Sequence, residues 1–379
     1  MWNVFTAHLD VLWGFLVAFA VVVVLTPAVG RVARVLGVVD EPGEARRMHL
    51  RAVPRLGGLA IFLGIFISGL AFLDLSGAYR GILLGAAVAT AVGMADDFRG
   101  LSWWAKLGGQ GAAAAIAIHF GVYIDRFSLP LLGVHELPFW FSVLVTVVWI
   151  VGMMNVINLL DGMDGLAAGI SAIAGVTFAI LALELGRPEA AVLSAIVAGA
   201  CLGFLRHNFY PARIFMGDSG SHLLGFVLAA VAIQGALKTA ATVALIFPLI
   251  VLAVPILDTS FVIAKRLKYG RPLTEPTPWH LYHRFRNIGF TQRRAALYFY
   301  VWGLVLAGGA LATRFVPFRS HGEWHLWPTA LVAGIGLVVL ATSLYMVIVL
   351  EILKLGRVRA WAGRWRADEE EEEERLKSA

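Results

Sequence analysis

Residues 139–183 read FWFSVLVTVVWIVGMMNVINLLDGMDGLAAGISAIAGVTFAILAL, two long apolar runs on either side of a polar stretch, Asn155 to Leu166. Runs of this kind cross or nearly cross the hydrocarbon core of a bilayer, which takes about 20 helical residues. At the junction Asn155, Asn158, Asp161 and Asp164 recur at every third position. On an uninterrupted helix each such step turns about 300°, so the four are expected to share one broad face. Asp161 and Asp164 are each followed by glycine, which lets the backbone tighten and approach a ligand. Carboxylates beside amides at a membrane edge suit a divalent cation and a sugar nucleotide.

The rest of the chain has the same character. Of its 379 residues 59% are hydrophobic and only 15% charged, and the mean hydropathy is +0.78. A soluble domain carries about 25% charged residues, so the fold class is an all-α polytopic membrane protein. Apolar runs fall near 9–29, 57–75, 81–95, 104–121, 138–157, 166–184, 190–206, 221–236, 241–264, 295–313 and 328–353, which predicts a bundle of about 11 transmembrane helices. Residues 1–353 then form one integral-membrane domain. Residues 354–379 form a tail, basic and then acidic, expected to be disordered at its end. The first run lacks a basic leader and a small-residue cleavage site, so it reads as a span and not as a cleaved signal.

Charge in the loops sets an orientation. Of the 31 Lys and Arg residues only Arg80, Arg126, Arg187, Lys238, Arg314 and Arg319 lie on one side. The crowded side is the cytoplasmic one, which puts the amino terminus outside, the carboxyl terminus inside and every polar motif on the cytoplasmic face of the inner (plasma) membrane. Basic residues confined to short loops between spans exclude nucleic acid as a partner. The single cysteine, Cys201, lies in an apolar run, which excludes an intramolecular disulfide and a cysteine metal cluster. Residues 123–138 alternate apolar and polar and predict a small hairpin.

Five further stretches carry chemistry. MHLRAVPRLGG (48–58) places His49 and Arg55 before a Gly-Gly that opens a span. In GMADDFRGLSWWAKLGGQ (93–110) the adjacent Asp96 and Asp97 follow a span, where unpaired carboxylates are costly. Neighbouring helix positions diverge by about 100°, so one of the pair is expected to face the reaction centre and the other to meet a base such as Lys106. FLRHNFYPARIFMGDSGS (204–221) sets Asp218 at the head of a helix, where a carboxylate asks for a counter-cation. Asp258 lies inside a membrane edge marked by Lys265; a functional role and a pairing with a loop arginine are both open there. The long basic loop contains HLYHR, with His280, His283 and Arg284, whose charge suits phosphate; a zinc site is disfavoured because no cysteine or third histidine is near.

Together these stretches resemble the polyprenyl-phosphate N-acetylhexosamine-1-phosphate transferases. The match covers five motif blocks, in family order, up to about residue 353. The resemblance implies transfer of HexNAc-1-phosphate, most simply GlcNAc-1-phosphate, from a UDP-sugar to undecaprenyl phosphate, with UMP released. It makes Asp96 the group that deprotonates the lipid phosphate, Asp97 its partner, Lys106 the matching lysine and Asp218 a ligand of Mg²⁺, with Mn²⁺ as the alternative. By the same resemblance Asn208 and Phe215 contact uridine, and Asn155, Asn158, Asp161 and Asp164 shape the nucleotide and metal pocket, Asp161 also as a ligand. His280, His283 and Arg284 hold sugar-phosphate oxygens, and His49 and Arg55 belong to the substrate-binding loop. A homodimer is compatible with this reading.

The first loop's His-x-x-x-x-Pro-Arg-x-Gly-Gly follows the GlcNAc-1-phosphate branch and lacks the Pro-Thr-Met-Gly-Gly of the muramoyl-pentapeptide branch. Tyr282 stands where the former branch has a middle histidine, which bears on substrate preference more than on reaction type. The reading from another class is an ion-coupled transporter. A carrier would place its polar groups near mid-bilayer in inverted halves, whereas in this chain they cluster at helix ends without an internal repeat.

Overall fold

The computed structural model describes residues 2–41, 52–129, 133–237, 246–268, 270, 281–287, 289–316, 319–320 and 323–346. His49, His280 and the 354–379 tail lie outside them, as does the side chain of Tyr282.

The chain is helical almost throughout. In order it forms α1 (Trp2–Val35), the two-residue strands β1 (Val39–Asp40) and β2 (Val53–Pro54), α2 (Gly57–Phe72), α3 (Ala78–Arg99) and α4 (Trp103–His119). A hairpin follows, β3 (Arg126–Leu129) with β4 (Gly133–Glu136), then α5 (Phe139–Leu160), α6 (Leu166–Glu184), α7 (Pro188–Asn208) and α8 (Gly217–Ala232), which ends in one π-helical turn, Ile233–Leu237. The last elements are α9 (Ile246–Val251), α10 (Ala253–Lys268), α11 (Leu281–Asn287), α12 (Gln292–Phe315), β5 (Arg319–Ser320), β6 (Glu323–Trp324) and α13 (Leu326–Leu344). Helices satisfy their own backbone groups, the condition that hydrocarbon imposes on any spanning segment. Among the described residues seven helical segments are long and apolar enough to cross a membrane: Leu9–Val35 of α1, α3, α5, α6, α7, α12 and α13. The remaining expected runs fall on the shorter helices α2, α4, α8, α9 and α10. The hairpin expected in 123–138 is present, antiparallel, with Arg126 opposite Glu136 and Leu129 opposite Gly133.

Two expectations change. The run at 241–264 is not one helix: α9 and α10 are separated at Leu252. Pro255 has no N–H for the carbonyl four residues back, and its ring crowds that same carbonyl, which breaks the ladder. The polar stretch 155–164 is not one helical face either. Asn155 and Asn158 lie in the last turns of α5, but the helix stops at Leu160 with Asp161 as its C-cap. Gly165 turns the chain into α6 with a φ of +75°, a left-handed conformation that glycine adopts without strain.

The core is organised around α8, which is buried along its whole length except at Asp218. Helices α2, α3 and α5 pack against it, while α1, α6 and α7 form a second layer. Its amino end is wedged very closely. A Cβ on Gly58 of α2 would fall 2.1 Å from the Gly220 nitrogen, and one on Gly93 of α3 would fall 2.3 Å from the Asp218 carbonyl oxygen. Small residues at these crossings let backbones meet, and they fix where Asp218 stands. At the other extreme α13 has no buried residue.

Candidate active site

The cluster at the amino end of α8 starts from a turn. Gly217 has a φ of +70°, and a Cβ there would lie 2.3 Å from the Arg55 carbonyl oxygen and 2.5 Å from Asp97 Oδ2. Only glycine fits, and the turn aims the first amides of α8 at Asp97. Asp97 Oδ1 accepts from the Asp218 N–H at 2.9 Å and Oδ2 accepts from the Ser219 N–H at 3.1 Å. A helix leaves these early N–H groups without internal partners, and they carry the positive end of its dipole. The anion met there is therefore the protein's own Asp97, with Arg55 Nη2 3.8 Å from Oδ1 as a further counter-charge. These amides thereby hold α8 on α3.

Asp96, one position back on α3, points elsewhere, as the 100° divergence requires. Its Oδ1 accepts from the Leu101 N–H at 2.5 Å, and its Oδ2 forms an ion pair with Lys106 Nζ. The same ammonium reaches Asp218 Oδ2 at 3.1 Å. Asp218 Oδ1 accepts from Asn158 Nδ2 at 3.0 Å, and Asn158 also donates to Ser221 Oγ at 2.9 Å. Asp96, Asp97, Lys106, Asn158 and Asp218, from four different helices, thus form one continuous polar cluster with Arg55 at its rim.

Asp161 sits just beyond the end of α5 and feels this cluster. Burial, reinforced by the charges of Asp218 and Asp97 and opposed by Arg55, holds its carboxyl well above the usual carboxylate range. Crowded carboxylates of this kind suit a hard divalent cation. Among the described residues no three His, Cys, Asp or Glu side chains form a preassembled metal cage. Mg²⁺ characteristically takes one or two carboxylates and completes its shell with water and substrate phosphate, so Asp161 and Asp218 fit it without such a cage.

Other predicted residues are struts. Asn155 donates both amide hydrogens, to Gln110 Oε1 and to the Val151 carbonyl, each at 2.8 Å, so its Oδ1 is the end left for a ligand. Gln110 in turn lies 3.2 Å from His222 Nε2. Asp164 Oδ2 accepts from the Ala212 N–H at 2.9 Å. Asn208, expected at the uridine, is buried with both ends on backbone: Oδ1 takes the Gly165 N–H at 3.0 Å and Nδ2 donates to the Ile214 carbonyl at 2.9 Å. These contacts lock the Asp-Gly turn to the irregular segment between α7 and α8, where half-buried Phe215 pairs its backbone with Pro54 and Gly57.

Arg284 is fully buried and lies flat over Phe261, its Cζ 3.6 Å from the ring centroid. It shares α11 with His283, and buried Asp258 Oδ1 holds the start of that helix through the Leu281 N–H at 2.7 Å. Asp258 is thus the anchor of the basic loop. Sequence reasoning missed Gln110, Ser221 and His222; a polar side chain inside an apolar run was the available signal for the first.

Similarity to known proteins follows the same residues. The family model described as glycosyl transferase family 4 matches residues 79–236, a span containing every member of the cluster except Arg55. A probable undecaprenyl-phosphate N-acetylglucosaminyl 1-phosphate transferase of Bacillus subtilis is 37% identical over 305 residues, 79% of this chain and 84% of that protein. A decaprenyl-phosphate N-acetylglucosaminephosphotransferase of Mycobacterium leprae is 36% identical over 78% of this chain and 82% of its own length. A phospho-N-acetylmuramoyl-pentapeptide-transferase of Desulforudis audaxviator is 34% identical over 78% and 96% respectively. With the carboxylate–lysine cluster inside the matched region, the chain belongs to glycosyl transferase family 4, the polyprenyl-phosphate N-acetylhexosamine-1-phosphate transferases.

Proposed function

We propose that the protein transfers GlcNAc-1-phosphate from UDP-GlcNAc to undecaprenyl phosphate, releasing UMP and making the first lipid-linked intermediate of a cell-envelope polysaccharide. The observation that carries this reading is the bridge of Lys106 between Asp96 and Asp218, at the end of a helix that Asp97 holds in place. Phosphoryl transfer asks a protein for positioning and charge compensation more than for covalent chemistry. Asp218 and Asp161 would hold Mg²⁺, or Mn²⁺, which when bound neutralises charge on the donor pyrophosphate. Lys106 stands against Asp96 as its counter-charge, and Asp96 accepts the proton of the lipid phosphate. The lipid phosphate oxygen then bonds to the donor's β-phosphorus and the bond to the UMP oxygen breaks, in one step. Asn155 Oδ1 offers an acceptor to the nucleotide, and His283 and Arg284 of α11 hold sugar-phosphate oxygens.

In this reading the protein has eleven spans in the inner membrane, with its amino terminus outside and its cluster on the cytoplasmic face. Loop charge supports this orientation. The similarity to the Desulforudis protein favours the muramoyl-pentapeptide donor as a second reading, whereas the first-loop motif argues for the smaller sugar. UMP release by the purified protein with undecaprenyl phosphate and UDP-GlcNAc, UDP-GalNAc or UDP-MurNAc-pentapeptide decides between them. UDP-GlcNAc is expected to be used best; turnover confined to the pentapeptide donor would overturn the assignment.

A further inference from the structure

A polar cavity lies between the end of α1, the end of α7 and the irregular segment that follows α7. It has a volume of about 250 Å³ and is lined by Thr26, Pro27, Arg31, Arg34, His207 and Arg213, with Gly30 and Ile214 completing the wall. It lies beside Pro27, which sits inside the continuous helix α1. Pro27 supplies no N–H to the Val23 carbonyl, and that orphaned acceptor is taken by His207 Nε2 from α7 at 3.1 Å. A carbonyl can only accept, so Nε2 carries the hydrogen. The side chain of Thr26 is likewise spent within α1, on the Val22 carbonyl at 2.6 Å.

What remains is cationic. Arg31 and Arg34 are one turn apart at the end of α1, and Arg213 comes from the segment between α7 and α8, its backbone N–H donating to the His207 carbonyl at 2.9 Å. No carboxylate lines the cavity, and among the described residues none of the three guanidinium groups is in an ion pair. The end of a helix attracts one or two basic residues through its dipole. That does not account for a third arginine brought in by a separate segment. Three forked donors around one opening are suited to phosphate oxygens.

The surroundings say where the phosphate comes from. Ala20, Val24, Ala28 and Arg31 follow the helical repeat along one exposed face of α1, with Val24 71% exposed on the hydrocarbon side of the arginines. A basic opening beside a bare apolar helix face has the two-part character of a phospholipid, head and tail. We propose that this cavity holds the phosphate of a two-chain anionic phospholipid, with its acyl chains along the exposed face of α1. The site is separate from the transfer chemistry and does not depend on which sugar the protein uses. Since Ile214 is one residue from Phe215, an occupied cavity also braces the segment that leads to Asp218.

The test is native mass spectrometry of the purified full-length protein, delipidated and then titrated with phosphatidylglycerol, phosphatidylcholine, undecaprenyl phosphate or inorganic phosphate. Wild type is expected to retain one phosphatidylglycerol that phosphatidylcholine does not replace. Arg31→Gln, Arg34→Gln and Arg213→Gln should each weaken that binding roughly fivefold, at about 1 kcal/mol per surface arginine. The triple variant should lose it, and a triple lysine variant should keep most of it. Unchanged melting temperatures without lipid establish that the variants are folded; if the triple glutamine variant fails this control, the single variants and the lysine variant decide. Equal retention by wild type and the glutamine variants overturns the proposal. So does inorganic phosphate bound with no preference for phosphatidylglycerol, which would make this a soluble-anion site. Binding of undecaprenyl phosphate alone also overturns it, because the cavity would then belong to the acceptor.

Discussion

Asp97 closes the amino end of α8 by accepting the backbone N–H of Asp218 at 2.9 Å. One carboxylate of the adjacent pair is therefore committed to holding the other side of the cluster in place. Asp97→Asn would replace one acceptor oxygen with an N–H₂ group that cannot take an amide hydrogen, and would remove the charge that complements the helix dipole. A loss of about 1–2 kcal/mol in stability is expected, together with a fall in kcat on the order of a hundredfold as Asp218 loses its position. Thermal melting in detergent and steady-state kinetics check both. A variant that melts like wild type and turns over like wild type would show that the cap is incidental.

Lys106 is the only described cation that bridges Asp96 and Asp218. Lys106→Met leaves two partly buried carboxylates facing each other with no counter-charge, so kcat should fall roughly a hundredfold or more. Lys106→Arg restores charge but not the compact geometry of an ammonium, and should recover only part of the loss. KM for the lipid acceptor and kcat, measured separately, distinguish a binding role from this one: a change confined to KM would count against the bridge.

Asp161 makes stability depend on pH. Its folded pKa lies well above the ordinary value of 3.8, so over the interval between the two the folded chain holds a proton that the unfolded chain has released. Stability must then fall as pH rises through that interval, and the penalty is fully present above the folded pKa. Asp161→Asn removes the ionisable group. In excess chelator the variant should melt higher than wild type at neutral pH, with the gap closing in acid, while its transfer activity is lost. A variant less stable than wild type at neutral pH would contradict the crowding of Asp161 with Asp97 and Asp218.

The helices and the motif residues were legible because apolar runs and short polar strings are local properties. What was not legible is how the residues divide the labour. Asp96 and Asp97 look equivalent in sequence; helix geometry sends one to Lys106 and the other to the amides of α8. Asn208 reads as a ligand contact, yet its amide ties Gly165 to Ile214, two positions far apart in the chain. Asn155 to Asp164 kept a three-residue rhythm, but Gly165 in a left-handed conformation follows a helix that has already ended at Leu160. Such outcomes depend on packing partners that periodicity does not encode. Asp258 could be placed inside the membrane edge, but only the fold shows it holding α11.

The orientation is testable with single cysteines, since Cys201 is buried and can be removed. In a Cys201→Ser background, Ser102→Cys and Ser320→Cys should label from opposite sides of the membrane, the second from outside. Reaction of Ser102→Cys with an impermeant thiol reagent on intact cells would place the cluster on the wrong face.

The central claim is that the bond broken lies between the two donor phosphates, and the fate of the β-phosphate tests it most directly. UDP-GlcNAc carrying ³²P at the β position is supplied to the purified protein with undecaprenyl phosphate and Mg²⁺. The label should appear in the lipid product, in equimolar amount with unlabelled UMP, and Asp218→Ala should abolish both. Label recovered as UDP beside an unlabelled glycolipid would mean simple glycosyl transfer, and would contradict phosphoryl transfer by Asp96, Lys106 and Asp218.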